Sequence, residues 1–176
     1  MSEEANDDVI HSEGSVSQFL TFLLGGETYG INILDIREII EYGGITSVPM
    51  MPDFIAGVIN LRGAVVPVID LASRFDDSKT VVSKRTSIII AEVENEDLKL
   101  EVGVIVDVVN EVLNISDKDI EPAPAFGTKI RTDFISGMGK VGEDLLVLLE
   151  VRKVLSIEEL AMVRDMSKGK SSDATA

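Results

Sequence analysis

Apolar positions in this chain come in short runs rich in valine, isoleucine and leucine, each closed by a polar or glycine-bearing turn. Residues 18–24 stop at Gly25-Gly26, a dipeptide suited to a hairpin, and 27–33 resume beyond it. Residues 58–61 and 64–70 flank Arg62-Gly63, 86–93 and 99–107 bracket a polar turn at 94–97, and 108–115 follow after a bend. Gly142-Glu143-Asp144 then turns the chain into 145–151. β-Branched residues favour a pleated, half-buried surface. Short strands separated by polar turns predict a barrel or sandwich, not a sheet wound with helices. Pro67 has no N–H to give a ladder, so its strand is expected at an edge, a bulge or a sharp bend.

Helical signals are few. Residues 33–40 place apolar side chains at Ile33, Ile36, Ile39 and Ile40, a spacing that fits helical turns or a strand and does not separate them. Residues 52–56 predict a single turn, and Ser116-Asp117-Lys118-Asp119 a capped turn before Pro122. The strongest helix signal is the last. Ser156 is followed three residues later by Glu159, a capping box, and Leu155, Leu160 and Val163 supply an apolar stripe reaching Met166.

Composition narrows the function. The chain has 176 residues, which predicts one domain or two small lobes, large enough to fold without disulfide or metal. With 31 acidic and 16 basic residues the net charge is −15 and no basic stripe exists, which argues against nucleic acid as a partner. The same field keeps copies apart and predicts a monomer when free. The acidic start, residues 1–16, lacks the apolar core of a signal peptide; it and the Ser/Lys-rich end, 167–176, are expected to be disordered. Apolar runs such as 145–149 fall far short of the ~20 residues of a bilayer span, so a cytoplasmic protein without membrane insertion is expected.

The chain has no cysteine, and its one histidine, His11, lies in the acidic leader. A body without imidazole or thiol lacks the usual groups for proton transfer, nucleophilic activation and transition-metal binding, so neither catalytic residues, nor a metal, nor a cofactor is expected. Ser136-Gly137-Met138-Gly139-Lys140 resembles a phosphate loop, but Val141 follows where Ser or Thr is needed; it reads as a glycine-rich turn between strands. Residues 117–121 alternate carboxylates as a calcium loop does, yet Pro122 stands where such a loop requires glycine and Thr128 where it requires Glu.

Arg62 stands out as the sole charge between Val58 and Ile69. It reads either as an interface residue, using its planar fork, or as a turn arginine facing water or paired with an acid such as Glu38. The isoleucines from 33 to 40 read as ordinary core or as a stripe offered to a partner helix. Met50-Met51-Pro52 and Phe54 form an apolar loop, a lid over a barrel end or an adhesive patch.

Several stretches taken in order resemble the CheW family, the coupling proteins of bacterial chemotaxis arrays. They are Tyr29-Gly30-Ile31-Asn32-Ile33-Leu34, Glu38-Ile39, Phe54-Ile55-Ala56-Gly57-Val58-Ile59-Asn60-Leu61-Arg62-Gly63, Val66-Pro67-Val68-Ile69-Asp70-Leu71, Gly103-Val104-Ile105-Val106-Asp107 and Pro122-Ala123-Pro124. The resemblance covers about residues 18–160. It implies a mainly β fold of two intertwined five-stranded SH3-like barrels, roughly 29–80 and 17–28 plus 81–151, with a C-terminal helix over 155–166. It also implies a non-catalytic adaptor joining chemoreceptor cytoplasmic tips to the regulatory domain of the CheA histidine kinase, associated with membrane-bound receptor arrays. The receptor tip, a helical hairpin, would meet Ile33, Ile36, Glu38, Ile39, Gly57, Arg62, Val109 and Val112. The kinase would meet Thr46, Val48, Met50, Phe54 and Ile55. The same fold could serve another kinase pathway, such as surface motility or development. A small-ligand barrel is disfavoured by the filled look of the strands, and a carboxylate enzyme by the missing histidine and cysteine.

Overall fold

A computed structural model describes residues 15–76, 79–95, 98–123, 134–156, 159 and 161–165. The acidic leader up to residue 14, the tail from 166, Leu160 and the end of the calcium-like stretch at Thr128 lie outside them. Among the described residues, eleven strands form two sheets. The first has the order β8-β1-β2-β11-β10-β9 and the second β3-β6-β7-β5-β4. The strands are β1 (Val16–Leu24), β2 (Glu27–Asn32), β3 (Ile36–Glu41), β4 (Ile55–Leu61), β5 (Ala64–Asp70), β6 (Ser87–Asn95), β7 (Leu98–Val106), β8 (Val108–Ser116), β9 (Ile120–Glu121), β10 (Ile135–Val141) and β11 (Asp144–Leu149). The expected mainly β architecture is present, with five long strands in each sheet and the two-residue β9 added to the first.

Both sheets are assembled alike. Two hairpins lie side by side through one parallel pair, β2 with β11 in the first sheet and β5 with β7 in the second. The chain visits the first sheet with β1 and β2, makes the whole second sheet, and returns for β8–β11. The lobes are thus interleaved, but their boundaries differ from the 29–80 and 17–28 plus 81–151 division. Residues 27–32 pair within the first sheet and 87–106 within the second, because β2 completes the hairpin begun by β1, and β7 is needed to pair β5.

Three apolar clusters hold the two sheets. A small one fills the second sheet around Val68, Ile88 and Ile90, and another the first around Phe19, Ile115 and Leu148. The largest takes Leu20, Phe22 and Ile31 from the first sheet and Ile69, Ile89 and Val104 from the second, and adds Val154, Leu155 and Val163 from the C-terminal segment. Each sheet therefore buries one face inside its own lobe and the other against its neighbour.

Local chemistry explains the element ends. Asn32 accepts the Leu34 N–H at 2.9 Å and caps the 3₁₀ turn Ile33–Asp35, after which β3 begins. Residues 33–40 are thus a turn and then a strand. Asp70 is buried and caps α1 (Leu71–Asp76), accepting the N–H groups of Ala72 and Ser73, and it also receives the Thr80 N–H and hydroxyl at 3.0 and 2.7 Å. Asp107 accepts the Gly25 N–H at 2.9 Å and ties the β1–β2 hairpin to the return crossing. At the turn over 52–55, Ile55 N–H donates to Pro52 carbonyl at 3.0 Å, and Ile55 and Ala56 already belong to β4. Pro67 costs no ladder bond. Val58, opposite it, exchanges both its bonds with Thr46 on the far side, and pairing with β7 starts only at Val68.

Three expectations are corrected. Residues 136–140 are the middle of β10, not a turn: Cβ atoms at Gly137 and Gly139 would lie 2.8 Å from Ile120 Cγ2 and 3.0 Å from Ile115 Cδ1. Those glycines make room for neighbouring isoleucines. Ser116 caps nothing with its side chain, and Asp117–Asp119 form a 3₁₀ turn. The strand over 145–151 ends at Leu149, since Val151 opens α2 (Val151–Val154). The capping box stands, with Ser156 N–H to Glu159 at 2.8 Å and Glu159 N–H to Ser156 Oγ at 3.1 Å. Residues 161–165 are helical beyond it, and Val163 is wholly buried.

Candidate functional site

The outermost strands β3 and β8 each carry a β-bulge, and the bulges decide which side chains share a face. On β3, Ile36 pairs with Ala91 and Ile39 with Ile89, so three residues on β3 match two on β6. On β8, Val112 pairs with Leu20 and Val109 with Phe22, again three against two. Residues paired across strands lie on one face. Ile36, Ile39, Val109 and Val112 therefore all face the side occupied by Ala91, Ile89, Leu20 and Phe22, members of the cluster between the sheets. Glu38 and Ile40, opposite Ile90 and Ile88, lie on the other face of β3, where Ile40 packs on the second lobe's cluster and Glu38 meets Arg62 at the surface. Thr21, inside the β1–β8 irregularity, donates its hydroxyl to the Glu111 carbonyl at 2.7 Å and supplies a bond the ladder loses there.

Ile33, Ile36 and Val109 pack half-buried on the inter-sheet cluster, while Ile39 and Val112 are 43% and 46% exposed. The result is an apolar floor with two protruding aliphatic anchors. Arg62 occupies the β4–β5 turn with φ 54°, followed by Gly63 at 88°. Its guanidinium grips Glu38 through both carboxylate oxygens, at 2.5 and 2.9 Å. The hydrogen bonds and charge of Glu38 raise the Arg62 pKa further above its ordinary value. The turn-arginine reading is met here, since Arg62 pairs with Glu38 and keeps a largely exposed side chain. Gly57 is a packing residue. A Cβ there would lie 2.1 Å from the Thr46 carbonyl oxygen, and its φ is 149°.

The second expected set is split by the fold. Thr46 is exposed and bridges Val58 through two backbone bonds, at 2.8 and 2.9 Å. Met50 is fully exposed at φ 64°. Val48 and the buried Ile55 line a cavity of about 300 Å³ together with Tyr42, Met51 and Thr80. Phe54 is half-buried, with the Arg74 guanidinium 4.6 Å from its ring centre.

Charges elsewhere form small networks. Arg37 hydrogen-bonds Glu92, which holds that carboxyl below the usual glutamate range and raises Arg37; Lys99 lies 3.5 Å from the same carboxylate. Glu121 raises Lys140, 2.8 Å away. Burial pushes the Asp35 carboxyl up, partly offset by Arg152. Sequence reasoning missed Asp70, Asp107 and Arg74, whose partners are distant in sequence; only the position of Asp70 just before α1 offered a signal, that of an N-cap.

No helix among the described residues is long and apolar enough to cross a membrane. The CheW-like domain pattern matches residues 18–159. The chain is 40% identical over 151 residues to the chemotaxis protein CheW of Klebsiella aerogenes, covering 86% of this chain and 89% of that protein. It is 34% identical over 142 residues to the chemotaxis protein CheW of Bacillus subtilis, covering 80% and 88%. The crystal structure of the scaffolding protein TtCheW from Thermoanaerobacter tengcongensis superposes with a TM-score of 0.74 at 36% identity, over 82% of this chain and 91% of that one. The two interleaved sheets, the Arg62 turn and these matches along nearly the whole described body place the chain in the CheW family.

Proposed function

We propose that this chemotaxis coupling adaptor works by holding a chemoreceptor tip on the bulged face of β3 and β8 and the regulatory domain of the CheA kinase on the end around Thr46, Val48, Met50, Phe54 and Ile55. The observation that carries the reading is the pair of bulges. They turn Ile36, Ile39, Val109 and Val112 to one side, where spaced aliphatic anchors can receive an amphipathic helix. Glu38, on the other face of β3, and Arg62 supply a charged edge that fixes register, since a guanidinium fork recognises carboxylates and carbonyls directionally. Ile33 extends the apolar floor, and Gly57 acts indirectly by letting Thr46 close on β4. Binding alone accounts for the role, without bond chemistry, and receptor states must differ in affinity for a signal to pass. The free protein is a cytoplasmic monomer recruited to receptor arrays, where many modest contacts gain avidity.

The test is a pull-down and a reconstitution with a receptor cytoplasmic fragment and the kinase. Arg62→Ala or Ile39→Asp weakens receptor-fragment binding with the Tm nearly unchanged. Should either variant unfold, that residue belongs to the scaffold, and should omission of the protein leave stimulus control of the kinase intact, the function is refuted.

A further inference from the structure

Arg74 is a polar side chain with several partners that the two contact faces leave unused. It projects from α1, is 16% exposed, and donates Nε to the Val154 carbonyl at 3.0 Å, the last residue of α2. Its Nη1 and Nη2 reach both oxygens of Glu159, at 3.1 and 2.9 Å. Glu159 Oε1 at the same time accepts the Ser156 N–H, so one carboxylate closes the capping box and receives the guanidinium. The guanidinium also lies over two aromatic rings. Its centre lies 4.6 Å from the Phe54 ring and 5.2 Å from the Phe134 ring. Phe134 in turn stacks on Phe75, 5.7 Å between centroids. A planar fork combines directional bonds at its edge with stacking on its faces, so fixing the edge orients the rings that lie on it.

We infer that Arg74 is a positioning residue: through Glu159 and Val154 it uses the seated C-terminal helical segment to hold Phe54, and so sets the surface presented at the 46–55 end. The final step, from Phe54 to kinase affinity, rests on the kinase contact proposed above. The orientation of Phe54 in the free protein does not.

The capping box allows a clean dissection. Glu159→Gln retains an acceptor for the Ser156 N–H, because glutamine serves at this position of a capping box, but removes the charge that grips Arg74. Ser156→Ala removes a cap bond and leaves the Arg74 grip. In full-length protein with a labelled Phe54 ring, Glu159→Gln shifts and broadens the Phe54 resonance, and Ser156→Ala lowers Tm without moving it. Against a kinase regulatory-domain fragment, Glu159→Gln raises Kd about three- to tenfold, the size expected for a coupling residue that touches no ligand, with receptor-fragment affinity unchanged. An unmoved Phe54 resonance in Glu159→Gln overturns the inference. So does a loss of both affinities in proportion to lost stability in the two variants. If Glu159→Gln does not fold, Arg74→Lys, which keeps the charge and loses the fork, carries the same comparison. Failure of the unaltered protein to bind the kinase fragment refutes the proposed contact instead, and the Phe54 resonance still decides the positioning role.

Discussion

Gly57 and Arg62 both have positive φ, at 149° and 54°, for unlike reasons. At Gly57 the constraint is space as well as backbone, since a methyl group would meet the Thr46 carbonyl carbon and oxygen, which the bridge to Val58 holds in place. At Arg62 nothing crowds the turn, and the left-handed conformation serves a two-residue hairpin loop whose twist matches its strands. Gly57→Ala is therefore expected to cost about 3 kcal/mol, combining overpacking and strain, read as a lowered urea midpoint at constant slope. Arg62→Gly should not lower the midpoint at all, because glycine enters this conformation freely, yet it removes the fork assigned to the proposed receptor contact. A receptor fragment that binds Arg62→Gly as well as the unaltered protein would strip Arg62 of its assigned role.

At the scale of strands, the reach of the sequence is set by periodicity. Hairpins with glycine turns were legible because strand and turn chemistry agree locally, as at Gly25-Gly26 and at Arg62-Gly63. Residues 33–40 were ambiguous for a physical reason. A bulge on β3 restores one face at a spacing of three, which mimics the helical repeat, and only the partner strand reveals it. β10 was missed because its glycines answer to Ile115 and Ile120, which lie on other elements. The aliphatic and charged residues assigned to the proposed receptor face come from family resemblance alone, whereas Asp107 and Arg74 depend on contacts over long sequence separations. Sheet packing also gives the second lobe a pH signature. Arg37 on β3 and Lys99 on β7 flank Glu92 on β6 and hold its carboxyl low. A depressed folded value stabilises the fold above the unfolded pKa, about 4.3, and that contribution is lost as pH falls through the folded value. Arg37→Met should thus lower the urea midpoint at pH 7 and converge with the unaltered protein in acid, while the Glu92 carboxyl resonance titrates higher. It returns only part of the way, since Lys99 remains. Equal midpoint losses at both pH values would show that the Arg37 stem, not its charge, matters. Asp35 runs the other way: its raised value favours the folded state as pH falls.

The whole molecule poses a question that two lobes alone do not answer, namely whether they unfold separately. Each sheet owns a small cluster, but the largest apolar cluster takes members from both sheets and from the C-terminal segment. Neither sheet can keep its outward face dry without the other, and the chain crosses between them twice. Losing one lobe would expose Ile89, Ala91 and Val104, or Leu20, Phe22 and Ile31, all now buried. At about 25 cal/mol per Å² of apolar surface, exposing several such side chains outweighs the marginal stability of a lobe alone. One cooperative transition is therefore expected, with far-ultraviolet and tyrosine signals coinciding in urea. Substitutions in either sheet should move that single transition, and Val163→Ala, wholly buried beyond the second crossing, should move it by about 2 kcal/mol through lost burial and a cavity. Two resolved transitions, or a Val163→Ala effect confined to one of them, would mean that the lobes are independent modules. A rigid, jointly folded pair suits the proposed role better than two tethered modules: a receptor tip bound on the β3–β8 face can bias a kinase domain at the 46–55 end only if the body between them does not bend freely.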